Sequence, residues 1–145
     1  MDNDDEGRVI AVDFGGFTMV NIYSPNSGRP IELKTMPKRR AFEKKLREML
    51  LRLQKKQPVL AIGDLNIADR PQDVHEQWNA ETWATHPSTT TEEKQMFRNL
   101  CFKTCLTDVQ DAANVEGFTY WRNDREKVAG QGTRIDYALC PQSYG

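Results

Sequence analysis

The sequence predicts a mixed α/β protein, and three segments of its 145 residues support that prediction. Two β-rich runs flank Gly15-Gly16 in "RVIAVDFGGFTMVNIY", as expected for a hairpin with a two-residue turn. Between Pro37 and Lys56, apolar residues at positions 42, 46, 49, 50 and 53 form a helical stripe. The short apolar run "PVLAIGD" follows and reads as a buried strand that ends in polar residues.

The remaining elements follow in order. Residues 69–90 are polar and irregular, and Thr90 with Glu93 forms a capping box that opens a helix through about Cys105. Its inward side should carry Met96, Phe97, Leu100 and Cys101. The segments "GFTYWRN" and "TRIDYALC" are two further strand candidates, joined by a charged, glycine-rich loop.

Composition limits the class of protein. A hydrophobic content of 38% with 28% charged residues is ordinary for a globular domain, and the length predicts one domain over residues 1–145. No apolar run is long enough to span a membrane. The acidic start "MDNDDEG" excludes a secretory signal and argues against a mitochondrial presequence. Three cysteines without metal-type spacing indicate a reducing, intracellular compartment, and Cys101 and Cys105 are expected in the core.

The charges are separated along the chain although the net charge is only −1. Residues 28–56 hold eleven Lys and Arg against three Glu, whereas residues 64–93 carry a local charge of −6. The basic segment is either the solvated face of one helix or a surface that meets phosphate, and the sequence leaves both interpretations open.

Asp64 and Asn66 follow the buried run "VLAIGD" two residues apart. Such a pair can form a turn, because both side chains hydrogen-bond to nearby backbone. It can also serve phosphodiester chemistry, in which a carboxylate positions or deprotonates water and an amide binds a phosphate oxygen. By itself the spacing favours the turn.

Two other segments carry polar groups in suggestive places. Asp136 interrupts an apolar strand pattern, so it should meet a cation or a metal, pair with Arg134, or face solvent at a sheet margin. The loop "YSPNSGR" supplies Tyr23, Asn26 and Arg29, which could bind phosphate, although Pro-Asn-Ser-Gly is also ordinary turn composition.

In combination and in this order, "GRVIAVDF", "VNIYSPNSGR", "LAIGDLNIA", "TTEEKQMF" and "GTRIDYALC" resemble the exonuclease III-like apurinic/apyrimidinic (AP) endonucleases of the endonuclease/exonuclease/phosphatase superfamily. The resemblance covers nearly the whole chain. It implies part of the four-layered α/β sandwich of the DNase I-like fold. It also implies Mg²⁺- or Mn²⁺-dependent hydrolysis of the phosphodiester 5′ to an abasic site in double-stranded DNA, as in base-excision repair, with a nuclear or other intracellular location and an organellar address left open.

The resemblance assigns roles to matching residues. Asp64 would position or deprotonate the attacking water, and Asn66 would bind the scissile phosphate and support Asp64. These two residues are also the expected metal ligands within this sequence. Tyr23 would be catalytic by contacting the same phosphate. Asn26 would also contact this phosphate, and Arg29 would contact the DNA backbone. Asp136 matches the residue that orients the catalytic histidine of the family.

The sequence departs from the family pattern at several positions. The metal-binding Glu of the family precedes the segment resembling "GRVI", and its histidine follows the segment resembling "RIDY"; neither matches a residue here. His75 and His86 lie upstream in the irregular loop and are expected at the surface. Thr133 replaces the bulky residue that helps wall the abasic-sugar pocket. Tyr120 and Trp121 could supply an aromatic surface that contacts the DNA instead, although core packing would account for one of them.

The resemblance therefore implies a central section of the domain that is weakly active or inactive in isolation. Such a section should expose sheet surface and self-associate. The alternative is a non-catalytic nucleic-acid-binding or scaffold module that uses the basic helix at 38–56. An RNA deadenylase, a DNase I-like enzyme or a phospholipid/inositol phosphatase fits less well, because those enzymes generally do not combine "IYSPN-x-GR" with "RIDY".

Overall fold

A computed structural model describes residues 6–28, 35–77 and 87–142. Arg29, Trp78, Trp83 and His86 lie outside the described residues, so the expected DNA contact of Arg29 has no structural counterpart here.

The predicted hairpin is confirmed. Strands β1 (Val9–Asp13) and β2 (Thr18–Tyr23) are antiparallel, and Asp13 lies opposite Thr18. The backbone N–H of Phe14 donates to the carbonyl of Phe17 at 3.0 Å, which encloses the two glycines as the turn. Gly15 has a φ of 82°, a backbone conformation that glycine adopts without a steric penalty.

Helix α1 (Met36–Gln54) matches the predicted helix within two residues at either end. Phe42, Leu46, Met49 and Leu50 are buried as their spacing predicts. The spacing also buries Arg39 one turn before Glu43, which the apolar pattern alone does not reveal. The two side chains form an ion pair at 2.9 Å, so the charges on this face compensate each other.

Strand β3 (Val59–Asp64) lies parallel to β2 and antiparallel to β5 (Asp136–Pro141). A short 3₁₀ turn, Pro71–Asp73, follows β3. Since β2 and β3 run in the same direction, their carboxyl ends meet at one edge of the sheet. Tyr23 of β2 is in register with Asp64 of β3 at that edge.

Helix α2 (Thr91–Thr104) begins at the predicted capping box. The Thr90 hydroxyl accepts from the Glu93 N–H at 3.2 Å, and the Glu93 carboxylate accepts from the Thr90 N–H at 3.2 Å. Phe97 and Leu100 are buried, and Cys101 packs against the core as expected. The core position expected for Cys105 is wrong, because this residue caps the helix in a left-handed conformation and is exposed.

The last third of the described chain contains elements that the pattern did not predict. They are strand β4 (Leu106–Asp108) and the short helices α3 (Val109–Ala112) and α4 (Asp124–Val128). The strand predicted for "GFTYWRN" is wrong. Tyr120 exchanges both backbone hydrogen bonds with Thr133 as an isolated bridge, and the Asn123 side chain then caps α4 instead of continuing a ladder.

The sheet has the order β1-β2-β3-β5-β4. One face carries Val20, Ile22, Val59, Ala61 and Leu139, which pack against the apolar sides of α1 and α2 and form the core. Helices α1 and α2 therefore make one layer on one side of a mixed sheet, which confirms the predicted α/β class and is consistent with part of a larger sandwich.

The opposite face of the sheet is apolar, and its residues differ in how far they are exposed to solvent. Ile10 is 58% exposed and Val12 41% exposed on the edge strand β1. Further along the same face, alternate residues of the inner strands are half-buried, namely Met19, Leu60, Ile62 and Ala138. Within the described residues, no helix is long and apolar enough to cross a membrane.

Candidate active site

Asp64 is positioned by a backbone that only glycine permits just before it. Gly63 has a φ of 122°, and a Cβ at this position would lie 2.2 Å from the carbonyl oxygen of Ile22. The close approach of β3 to β2 therefore requires glycine. Immediately after Asp64 the chain turns, and the Asp64 carboxylate accepts a hydrogen bond from the Asn66 backbone N–H at 2.7 Å. The turn predicted from the Asp-Asn spacing is present.

Asn66 joins this turn to the loop after β2. It adopts a left-handed conformation (φ 48°) and is 4% exposed. Its amide nitrogen donates to the Ser24 carbonyl at 2.8 Å, and its amide oxygen accepts from the Asn26 amide at 3.0 Å. The Asn26 oxygen in turn accepts from the Gly28 N–H at 2.7 Å. The side chains of "YSPN" and "GDLN" thus form one hydrogen-bonded unit, so the turn and the site are the same structure.

Arg39 supports both loops from below, and the sequence analysis missed it. One guanidinium nitrogen donates to the Pro25 carbonyl at 2.7 Å and the other to the Leu65 carbonyl at 2.7 Å. The residue is 1% exposed and paired with Glu43. An Arg at the apolar spacing of α1, three residues before Phe42, is a sequence signal that could have identified it.

These loops form one wall of a cavity of about 390 Å³. Tyr23, Asn26, Asp64 and Asn66 line this wall together. Five predicted site residues therefore share one cavity, since Tyr120 lines it from the other side. Thr133, at the position of the pocket-wall residue of the family, also lines the cavity. The lining further includes side chains that the sequence analysis did not assign to the site, namely Arg122, Glu126, Gln131 and Ile135.

Trp121 is not among the side chains that line this cavity. Its indole packs on Gly132, where an added Cβ would lie 2.6 Å from the indole nitrogen, and the Lys127 ammonium lies 5.6 Å from the ring centre. For this residue the packing interpretation considered above matches the structure. Its DNA contact stays a prediction that the geometry does not support.

The electrostatic environment of Asp64 favours its protonated form. The pKa of Asp64 is raised to about 6, and partial burial is the main cause. The hydrogen bond from the Asn66 N–H acts in the opposite direction and lowers the pKa. The Asp136 carboxylate raises it further, and the Arg39 guanidinium lowers it. Asp136 lies directly across from Asp64 in the β3–β5 register. A carboxyl with a pKa near the working pH is suited to accept a proton from water.

Asp136 does not pair with Arg134. Arg134 is 1% exposed and donates to Asp73 at 2.8 Å and to Asp108 at 2.7 Å. The backbone N–H of Asp136 donates to the Thr119 hydroxyl at 3.1 Å, while its side chain remains half-exposed. Of the alternatives considered for Asp136, the Arg134 pair is wrong. The buried Arg134 instead ties the 3₁₀ turn to β4 beneath the cavity wall.

The described residues do not fit a complete metal centre. They contain no group of three or more His, Cys, Asp or Glu side chains placed to share a metal ion. Asp64 and Asp136 are two neighbouring carboxylates, and the oxygen of the Asn66 amide already accepts a hydrogen bond from Asn26. His75, the histidine within the described part of the chain, packs edge-on against Phe118 rather than lining the cavity. The Asp64 and Asn66 metal contacts stay predictions.

Comparisons with known proteins identify relatives that process DNA. The chain is 36% identical over 139 residues to an exodeoxyribonuclease of Streptococcus pneumoniae, covering 92% of this chain and 48% of the relative. It is 34% identical over 147 residues to DNA-(apurinic or apyrimidinic site) endonuclease 2 of Schizosaccharomyces pombe, covering 94% of this chain and 27% of the relative. No protein-family model matches the chain.

Solved structures share the fold. An AP endonuclease from Leishmania major superposes with a TM-score of 0.84 at 24% identity, over 97% of this chain and 47% of that chain. A 3′-5′ exonuclease from Neisseria meningitidis gives a TM-score of 0.78 at 22% identity, over 97% of this chain and 55% of that chain. The chain thus spans about half the length of these structures and half or less of the two sequence relatives.

Proposed function

Because this chain belongs to the exonuclease III-like nucleases of the endonuclease/exonuclease/phosphatase superfamily, we propose that it contributes the phosphate-binding centre of a DNA endonuclease that hydrolyses the phosphodiester 5′ to abasic sites. The observation that carries this proposal is the single hydrogen-bonded unit formed by Asn26, Asp64 and Asn66 at one wall of the cavity. The Asp64 carboxylate is the proton acceptor for water. Tyr23 and Asn26 are the neutral donors for phosphate oxygens.

Tyr23 is suited to meet a substrate because it is 53% exposed, whereas Ile22 and Ser24 on either side of it are buried. The Arg8 guanidinium lies 4.9 Å from the centre of its ring and fixes the side chain by a cation–π contact. A phenol held in this way donates a hydrogen bond without adding a negative charge near phosphate. Arg29 is proposed as a DNA-backbone contact from the sequence motif.

Nucleases of this family generally use a divalent metal. We propose Mg²⁺, or Mn²⁺ in its place, since Mg²⁺ binds through one or two carboxylates together with substrate phosphates and waters. When bound, the metal would neutralise charge on the phosphate. The described residues offer only Asp64 and Asp136 toward it, so the full centre needs groups beyond those described.

The test is incision of a duplex that carries one abasic-site analogue, by the 145-residue chain with Mg²⁺. Undamaged duplex and EDTA serve as controls, and Asp64→Ala and Tyr23→Phe serve as variants. Cleavage 5′ to the lesion that disappears in Asp64→Ala and in EDTA supports the proposal. Cleavage that persists in Asp64→Ala contradicts the role of Asp64. A folded chain without cleavage contradicts activity of this section alone.

In that last case the second candidate function is a non-catalytic nucleic-acid-binding module. The observation that favours it is the excess of cations on α1, a helix that supplies none of the side chains lining the cavity. We further propose an intracellular, reducing location, with the nucleus as the site of a DNA substrate. The free thiols Cys101, Cys105 and Cys140 support it.

A further inference from the structure

Helix α1 carries cations that neither the fold nor the candidate site uses. Residues 36–56 contain nine Lys and Arg against two Glu, in a chain whose net charge is −1. One of the two acids, Glu43, is buried against Arg39 and adds nothing to the exposed charge. Five exposed cations define what we call the basic face: Lys44, Lys45, Arg52, Lys55 and Lys56.

The basic face differs from the cations at the start of the same helix. Lys38 is paired with Glu6 and Arg40 with Glu92, which ties the beginning of α1 to its neighbours. Among residues 6–28, 35–77 and 87–142, none of the five cations of the basic face forms an ion pair. Within this part of the chain, none of these five charges is therefore neutralised by an ion pair, and Lys56 lies close enough to Asp13 to help lower the pKa of that carboxyl.

Stabilisation of the helix does not account for the basic face either. The helix dipole favours cations only within the last turn, which applies to Arg52. Lys44 and Lys45 lie in the middle of α1, beyond the reach of that effect. Glu48, the one exposed acid among residues 44–56, lies one turn from Lys44 and from Arg52 and offsets part of the charge of the basic face. Arg52 lies three and four residues before Lys55 and Lys56, so it repels both of these cations.

The cations lie on one side of the helix. Lys44, Arg52 and Lys55 are separated by eight and three residues, which are spacings that repeat on one helical face. From Lys44 to Arg52 the helix rises about 12 Å, at about 1.5 Å per residue, and Lys55 and Lys56 follow directly after the helix ends at Gln54. This helical length corresponds to between about three and about four base pairs of duplex DNA at about 3.4 Å each. The basic face thus has the charge density and length to follow one stretch of phosphate backbone.

The position of the basic face separates it from the cavity. Phe42, Leu46, Met49 and Leu50 turn the other side of α1 toward the sheet, so the basic face points away from the core. Arg39 fixes the helix to the Pro25 and Leu65 carbonyls, which keeps this face rigid relative to the candidate site. DNA held here contacts the protein outside the cavity.

We propose that the basic face of α1 binds the phosphate backbone of duplex DNA irrespective of damage, as a contact separate from the cavity. This inference rests on the second candidate function proposed above and deepens it by naming the residues and the duplex phosphate backbone that they bind. It goes beyond the proposed hydrolysis, because it concerns retention on undamaged DNA. It needs neither a metal nor an abasic site.

The experiment measures binding of the full 145-residue chain to an undamaged 30-base-pair duplex in EDTA, over a series of salt concentrations, by fluorescence anisotropy. The variant Lys44→Gln/Arg52→Gln removes two cations of the basic face. The control Arg125→Gln/Lys127→Gln removes the same charge from the exposed side of α4. Circular dichroism melts establish that each variant is folded.

The plot of log K against log salt should lose about 1.8 in slope for the α1 pair, from about 0.9 per phosphate contact, and change little for the α4 pair. A wild-type slope near zero, an unchanged slope in the α1 pair, or an equal loss in both pairs would overturn the proposal.

Poly-glutamate and phosphatidylserine vesicles serve as competing probes. If they bind the basic face while DNA does not, the partner is an acidic protein or a membrane surface and the proposal is wrong. Because this experiment measures binding and not cleavage, its result can be interpreted even if the proposed endonuclease activity is absent.

Discussion

Asp64 forms the turn after β3, and the same carboxylate has the burial that the proposed chemistry needs. Its carboxylate accepts the Asn66 N–H, which any Asp at the start of a turn could do. Its partial burial opposite Asp136 is what raises its pKa, and only this second property bears on proton transfer. The observed turn therefore does not exclude the proposed role of Asp64 in hydrolysis.

The raised pKa of Asp64 makes stability depend on pH. The pKa rises from 3.8 in the unfolded chain to about 6 in the folded one, so the folded state binds more protons and loses stability as the pH rises through that interval. We expect Asp64→Asn to be more stable than the wild type at pH 7.5 by about 1–2 kcal/mol after solvent screening, with no difference at pH 3.5. Urea unfolding at both pH values measures this.

Asp13→Asn is the matched control, because the Gln57 side chain and the Gly15 N–H lower the pKa of Asp13. This substitution should not stabilise the protein at pH 7.5. A gain of stability for Asp64→Asn that is as large at pH 3.5 as at pH 7.5 would show that packing, not ionisation, is responsible.

Gly63 is the second residue at which local geometry decides the site. We expect Gly63→Ala to destabilise the protein by at least about 2 kcal/mol, because the positive φ is strained for alanine and the new Cβ meets the Ile22 carbonyl. Gly16→Ala is the control, since nothing lies within 4 Å of a Cβ there and its φ is ordinary. Chemical denaturation distinguishes them, and equal effects at both glycines would contradict the argument.

At the scale of elements, the start of α2 follows from the sequence alone, because Thr90 and Glu93 form the predicted capping box. Thr90→Ala removes the hydroxyl that accepts the Glu93 N–H, so we expect a loss of about 1 kcal/mol, within a range of about 0.5–2. Thr91→Ala is the neighbouring control, because Thr91 is exposed and is not the cap. Unfolding free energies of both variants test this, and an equal loss in Thr91→Ala would contradict a capping role for Thr90.

Helix α1 and the loops of the site are joined through one buried cation. Arg39→Met leaves Glu43 buried without its partner, so we expect a loss of about 3–5 kcal/mol. The double variant Arg39→Met/Glu43→Leu should recover most of that stability because no uncompensated charge remains. It should not recover the order of the loops that Arg39 holds at Pro25 and Leu65. Denaturation and amide exchange at Asn66 separate the two effects, and full recovery of exchange protection would contradict the anchoring role.

At the scale of the whole molecule, the open apolar face of the sheet is the feature with a measurable consequence. Ile10 and Val12 are exposed on edge strand β1, and such an edge can pair with another chain. We propose that the 145-residue chain self-associates, and we expect its mean mass in sedimentation velocity to rise with concentration. Val12→Lys should reduce that rise, whereas Val128→Lys, at an exposed apolar residue of α4, should not. A monomer at all concentrations would contradict the proposal.

Sequence patterns determined the elements whose hydrogen bonds and burial are local. The Gly15-Gly16 hairpin, the amphipathic α1, the strand β3 and the Thr90 cap all follow from spacing within a few residues. The family resemblance, and not local spacing alone, pointed to Tyr23, Asn26, Asp64, Asn66 and Tyr120, which share one cavity. The local patterns mistook "GFTYWRN" for a strand because a bridge of one residue pair has the same local composition as a longer ladder.

Only the tertiary structure decided which distant groups meet. Arg39 reaches the Leu65 carbonyl across 26 residues, and Arg134 reaches Asp73 across 61 residues rather than pairing with the nearby Asp136. It also decided that Trp121 packs on Gly132 while its neighbour Tyr120 faces the cavity. The physical reason is that a buried charge or ring takes the partner that removes it from water at the lowest free energy, and that partner is set by the folding of the whole chain.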